Sequence, residues 1–200
     1  MRISIVAASI ALTLAATSTY ATLAPRDING DGITDAFYDT DLNITWLRDA
    51  GLSSRSTFSQ AGTWANNLVV GNLTGWRLPT SDVSCSAYGS PTGCIKSEMG
   101  HLFYTELGST ANHIQTGSFL NVASGTYWSG TSDSLRANQA WTFNASTGFQ
   151  ASESTGLTYS AMAVRNGDVS VSPVPEPETY ALLLAGLGLV GSIALRRKAK

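Results

Sequence analysis

The residues with the clearest chemical pattern lie in RDINGDGITD, positions 26–35. Asp27, Asn29, Asp31, Gly32 and Asp35 stand where an EF-hand-type calcium loop has positions 1, 3, 5, 6 and 9, an alternation that converges oxygens on one ion while the glycine permits the turn. Position 12 is Tyr38, which has no bidentate carboxylate to offer, and Pro25 with strand-like sequence flanks the stretch instead of helices. Asn29-Gly30 and Asp31-Gly32 are also strong hairpin signals, because two-residue turns of that kind need positive φ. The hairpin reading outweighs the calcium one. Asp27, Asn29, Asp31 and Asp35 are the metal ligands this sequence offers, for calcium, and no other cofactor is expected.

Other reactive residue types give less. Cys85 and Cys94 flank SAYGSPTG, a turn-rich spacer that suits a structural disulfide better than a Cys-x-x-Cys redox pair, and a metal site would need more ligands. His101 and His113 lack the spacing of a zinc pair, so surface or core roles are expected for both. There is no Gly-x-Ser-x-Gly elbow, phosphate loop or dinucleotide fingerprint, and a glycosidase-type carboxylate pair would not show in sequence. No catalytic residue is named and the protein is expected not to be an enzyme. Trp46, Trp64, Trp76, Trp128 and Trp141 are of a type that stacks on sugar rings, but their places in regular elements make most of them core, with one or two at the surface at most.

The ends of the chain say where these residues go. Residues 1–21 run from Arg2 through an apolar stretch to small residues before Ala21, the order of a secretory signal peptide cleaved after Ala21, with a site after Ala24 as the alternative. Residues 171–200 carry Pro175-Glu176-Pro177, an uncharged apolar stretch at 180–195, and a basic end with Arg196 and Arg197. A helix over 180–195 would reach about 24 Å, slightly under a hydrocarbon core of about 30 Å, and arginine snorkelling covers the shortfall. The basic end then stays cytoplasmic, leaving everything before Val174 outside the cytoplasm. Residues 22–170 are left as one domain. Residues 22–174 hold seven Arg and Lys against twelve Asp and Glu, a net charge of −5, which argues against nucleic acid as a partner.

The elements that must position the polar residues read as α+β. ITDAFYDTDLNITWL predicts two short strands around the turn DTDLN. TFSQAGTWANNLVVG predicts a helix with Thr57 and Gln60 in capping-box spacing, a face of Phe58, Ala61, Ala65 and Leu68, and Gly71 as terminator. SEMGHLFYTELG predicts a second helix capped by Ser97, with Met99, Leu102, Phe103 and Leu107 on one side, His101 and Glu106 toward the other, and Gly108 closing it. Strands are then expected in TYWSG, AWTFN, GFQAS and YSAMAVRNG, with Trp141 and Phe143 sharing one strand face and Met162 and Val164 another.

Two resemblances extend this reading. Pro175-Glu176-Pro177, the apolar stretch and the Arg-rich end together resemble the PEP-CTERM sorting signal of Gram-negative bacteria. The resemblance implies an exosortase as partner, anchoring in the inner membrane before the tail is removed, and later residence in the envelope or outside the cell, in bacteria that make exopolysaccharide and biofilm. LNITWLRDA at 42–50, GWRLPT at 75–80, SEMGHLFYTELG at 97–108, YWSGT at 127–131, AWTFN at 140–144 and AVRNGDV at 163–169 resemble the Lcl C-terminal-like domain, a family of unknown function. That resemblance implies a C-type-lectin-like fold related to formylglycine-generating enzymes, with two helices and twisted antiparallel sheets, and places NGDG in an early turn between strands. The Glu-Pro-Asn or Gln-Pro-Asp calcium motifs of sugar-binding lectins are missing. Cys85 and Cys94 lie mid-chain, where the enzymes have a late reactive pair, so neither activity is carried over and fold likeness alone assigns none. The expectation is an exported, non-enzymatic envelope or matrix protein with a binding or structural domain; the alternatives are a module for exopolysaccharide and a formylglycine-generating-type enzyme.

Overall fold

The computed structural model describes residues 23–85, 94–110 and 113–169. Both ends of the chain, with Ala21, Pro175, Glu176, Pro177, Arg196 and Arg197, lie outside the described residues. Among the described residues no helix is long and apolar enough to cross a membrane, and the apolar stretch 180–195 is not among them.

Among the described residues, two sheets and two short helical segments make the expected mixed, sheet-rich domain. The first sheet contains β1 (Leu23–Arg26), β2 (Ala36–Asp39), β3 (Ile44–Leu47), β4 (Trp76–Arg77) and β9 (Val164–Asn166), in the order β1-β2-β3-β9-β4, all antiparallel. All four residues of β3 are buried, because apolar groups cover both faces of the sheet. The period of two sorts them: Phe37, Ile44, Trp46 and Val164 enter one core cluster, whereas Ala36, Leu47 and Ala163 enter another. The second sheet has the order β7-β6-β5-β8, from β5 (Thr126–Ser132), β6 (Gln139–Asn144), β7 (Phe149–Ser154) and β8 (Ser160–Ala161).

Helix α1 (Phe58–Asn67) starts where its capping residues predict, with the Gln60 side chain accepting from Thr57 N–H at 3.0 Å. Ala61 and Ala65, fully buried and one turn apart, are small enough to let the helix lie close over Trp128 of β5. It ends at Asn67, before Leu68, not at Gly71. Val70 and Leu73 exchange backbone hydrogen bonds there, and Gly71, at φ +57°, sits in that separate turn.

Three further elements differ from expectation. YSAMAVRNG is not one strand: after Ala161 the chain crosses from the second sheet to the first, with Ala163 C=O accepting from Leu47 N–H. Met162 and Val164 nevertheless share the same core cluster. The β5–β8 pair is parallel, because the chain leaves β7 at one edge, passes the start of α1 through the Ser56–Tyr159 bridge, and re-enters at the other edge. In the second helix only α2 (Glu98–His101) is α-helical, and Leu102–Glu106 is a π turn closed by Leu107 N–H to Leu102 C=O at 3.0 Å. Its ends match the sequence: Ser97 Oγ accepts from Gly100 N–H, and Gly108 adopts φ +62°.

Candidate functional site

The π turn changes what the second helix can do. His101 and Glu106 are five residues apart, about 140° around a regular α-helix, whereas an i→i+5 turn brings such residues toward one line. Glu106 accordingly points inward, with its side chain 1 % exposed, and His101 Nε2 lies 3.2 Å from its Oε1. This corrects the expectation that both residues face away from the core.

The partners come from the β2–β3 turn. Asp39 ends β2 and is fully buried; its Oδ1 accepts from Asp41 N–H at 3.1 Å and Leu42 N–H at 3.0 Å, while Trp46 Nε1–H reaches Oδ2 at 3.4 Å. The turn can bring those amides back because Asn43 adopts φ 52°, with its Oδ1 accepting from Tyr38 Oη–H. His101 Nε2 is 3.9 Å from Asp39 Oδ2 and 4.0 Å from Oδ2 of Asp41, which is half-exposed. One imidazole thus faces three carboxylates. Burial pushes the Glu106 carboxyl up from its ordinary range and repulsion from Asp39 adds to this, while the His101 hydrogen bond pulls it down.

α2 is held where this cluster needs it. Arg77 of β4 pairs with both Glu98 oxygens at 2.7 and 2.8 Å, and Glu98 Oε2 also accepts from Thr80 N–H. Ser97 Oγ donates to Cys94 C=O at 2.7 Å, and Gly100 packs so tightly on that carbonyl that a Cβ would lie 2.0 Å from its oxygen. Cys94 is itself tied to Cys85 by a disulfide, Cα to Cα 5.6 Å, as the spacing suggested.

The Asp27–Asp35 stretch is the connection of a hairpin, since Arg26 and Ala36 pair across β1 and β2. Its residues 27–35 form a longer loop than the two-residue turn the Asn-Gly and Asp-Gly pairs suggest, with Gly30 and Gly32 at φ +79° and +84°. The side-chain oxygens are turned to the loop's own amides: Asp27 accepts from Gly30 and Gly32, Asn29 from Asp31, Asp31 from Ile33 and Asp35 from Ile28. These amide bonds, that of Gly32 first, hold the Asp27 carboxyl below its ordinary range. Among the described residues, Asp27, Asp31 and Asp35 do not bring three ligand atoms together within 4.8 Å, whereas Asp39, His101 and Glu106, two carboxylates and an imidazole, do.

Trp46, Trp76 and Trp128 are fully buried, leaving Trp64 and Trp141 partly exposed. A cleft of about 360 Å³ runs beside α1, lined by Phe58, Ser59, Thr63, Asn66, Arg77 and Thr80 among others. Exposed His113 pairs with Gln115 instead of joining His101.

Residues 173–198 match the PEP-CTERM protein-sorting motif. They contain Pro175, Glu176, Pro177, Arg196 and Arg197. The motif implies an exported protein that is membrane-anchored before processing and is sorted by an exosortase. No curated protein matches the chain.

The buried cluster is what sequence reasoning missed. His101 and Glu106 were visible as polar residues of a helix, and Asp39 and Asp41 as turn residues, but no periodicity announces a π turn. The one available signal was Glu106, a carboxylate set directly before Leu107 and the Gly108 terminator, where a helix C-terminus disfavours negative charge.

Proposed function

We propose that the domain of residues 22–170 is the cargo of this sorting signal: a non-enzymatic envelope or extracellular-matrix protein whose lectin-like fold serves binding or structure. The PEP-CTERM match at residues 173–198 carries the reading. The order of the Lcl-type segments supports the lectin-like assignment. Both cysteines of the chain are committed to the bridge, which favours a structural role over the reactive thiol of a formylglycine-generating enzyme.

The test is made in a host that has the exosortase. Replacing Pro175, Glu176 and Pro177 with alanine should leave the tail attached and the protein in the inner membrane, read by mass spectrometry of fractionated cells. Unchanged processing and location would refute the sorting reading.

A second reading is favoured by the α1 cleft, which sets hydroxyl, amide and guanidinium groups beside the Phe58 ring, a lining suited to a saccharide of the bacterium's own exopolysaccharide. Calorimetry with that polymer should show saturable binding that Asn66→Ala weakens without unfolding the domain. Repeating it after chelation and calcium return tests whether the Asp27 loop takes part, since no cofactor is otherwise required by the proposal.

A further inference from the structure

Among the described residues, the interior sets two carboxyl groups, of Asp39 and Glu106, beside a single imidazole. Asp39 is fully buried and the Glu106 side chain is 1 % exposed, yet among the described residues His101 is the sole basic side chain within 4.0 Å of either. Even as an imidazolium it would leave the two carboxylates with a net negative charge, to which Asp41 adds another. Two such charges in a low-dielectric interior require a compensating cation or a proton. Glu106 supplies a second, independent sign: its Oε2 is inaccessible to solvent and has no hydrogen-bond partner among the described residues. Buried polar atoms are rarely left in that state.

We propose that Asp39, His101 and Glu106 bind a divalent transition-metal cation, with Asp41 closing the site from the solvent side. The ligand atoms already lie within 4.8 Å of one another, and His101 Nε2 is 3.2 Å from Glu106 Oε1 and 3.9 Å from Asp39 Oδ2. Bonds of about 2.1 Å in tetrahedral geometry put donors about 3.4 Å apart, so each side chain needs to move by less than about 1 Å. One imidazole nitrogen among carboxylate oxygens is a mixed donor set that suits zinc or manganese, whereas calcium takes six to eight oxygens. The donors that orient Asp39, the Asp41 and Leu42 amides and the Trp46 indole, form the supporting shell such a site needs. Asp41, at 51 % side-chain exposure, lies on the path from solvent.

The site joins the β2–β3 turn to the second helix, so an ion there would fasten one sheet of the exported domain to its helical layer. That role predicts stabilisation on binding without any need for turnover.

The experiment uses the full chain, purified in detergent and stripped with EDTA. Zinc(II), manganese(II) and calcium(II) are titrated separately by calorimetry, and the melting temperature is followed at each ratio. The expected result is one equivalent of zinc or manganese bound with a Kd below about 10 μM, a higher melting temperature, and no matching response to calcium. Glu106→Gln and His101→Gln should each weaken binding at least tenfold, a typical scale for loss of a metal-site group. Asp41→Asn, on the exposed rim where folding is not at stake, should weaken it several-fold. His113→Gln and Asp27→Asn should leave it unchanged. The proposal is overturned if neither metal binds saturably below 1 mM, if Glu106→Gln and Asp41→Asn bind as the parent does, or if Asp27→Asn alone removes binding. It is also overturned if Glu106→Gln stabilises the protein while the parent ignores zinc and manganese, since the cluster would then be balanced by a proton.

Discussion

Gly100→Ala probes the packing that places His101. A Cβ at this position would stand 2.0 Å from the Cys94 carbonyl oxygen, 2.6 Å from its carbon and 2.7 Å from Ser97 Oγ, against ordinary contacts of 3.4 Å or more. The segments must therefore separate by about 1.4 Å. The nearest atoms are the backbone carbonyl of Cys94, itself held by a disulfide, so little relief is available. Overpacking of this kind costs about 1–3 kcal/mol. The separation also strains the Ser97 Oγ–H to Cys94 C=O bond and the Gly100 N–H to Ser97 Oγ bond, each worth about 1 kcal/mol. Together they amount to about 3–5 kcal/mol, a large part of the stability of an ordinary domain. A melting temperature lower by roughly 10 °C follows for a domain of this size. Urea unfolding of the full chain in detergent, followed by the fluorescence of buried Trp46, Trp76 and Trp128, reads the loss as a lower midpoint at constant slope. Gly62→Ala is the contrast: it lies in α1 with open space where a Cβ would go, and should stabilise by about 0.5–1 kcal/mol. If both variants fall within 0.5 kcal/mol of the parent, α2 does not pack on Cys94 as described, and the position assigned to His101 fails with it.

The remaining expectations are separable. Replacing Cys85 and Cys94 together with serine should lose about 2.5–3 kcal/mol by the loop-entropy estimate, measured as the urea midpoint under non-reducing conditions. The pH dependence should carry two opposed signs in chelator-treated protein. Glu106, raised in the fold, binds more protons folded than unfolded above its ordinary value of 4.5, so its contribution is greatest below that and is lost as pH rises through the folded value. Glu106→Gln should flatten that decline in a plot of melting temperature against pH. Asp27, lowered in the fold, contributes above 3.8, and that contribution is lost as pH falls through its folded value, so Asp27→Asn should remove only an acid-side loss.

Local signals carried much of this architecture. Thr57 and Gln60 marked the start of α1, Ser97 and Gly108 marked both ends of the second helical segment, and the DTDLN turn fell between β2 and β3. Each of these depends on a few adjacent residues and on backbone preferences that sequence expresses directly. Where two distant segments decide the outcome, the reading failed. The hairpin at 26–35 called for a strand before it, but nothing in the pattern bounded β1, because LAPR shows neither alternation nor β-branched residues and is a strand only through its pairing with AFYD. The crossing at Met162 and Ala163 was missed for a similar reason: a continuous apolar run looks the same whether it serves one sheet or passes between two.

The His101 cluster shows why such a site stays hidden when every member is in plain view. A helical wheel at 3.6 residues per turn sets Glu106 about 140° from His101, and its C-terminal place makes solvent the natural reading. One additional residue in the turn, closed by Leu107 N–H to Leu102 C=O, reverses that reading and puts the carboxylate beside Asp39. An inserted residue of this sort weakens the helix, because its hydrogen bonding is less regular, and it buries a carboxyl group as well. Leu102 and Phe103 could be buried by an ordinary α-helix without either penalty. What the π turn adds is the convergence of Glu106 with His101 and Asp39, so the reason for the irregular turn is to be sought in what those three side chains hold between them.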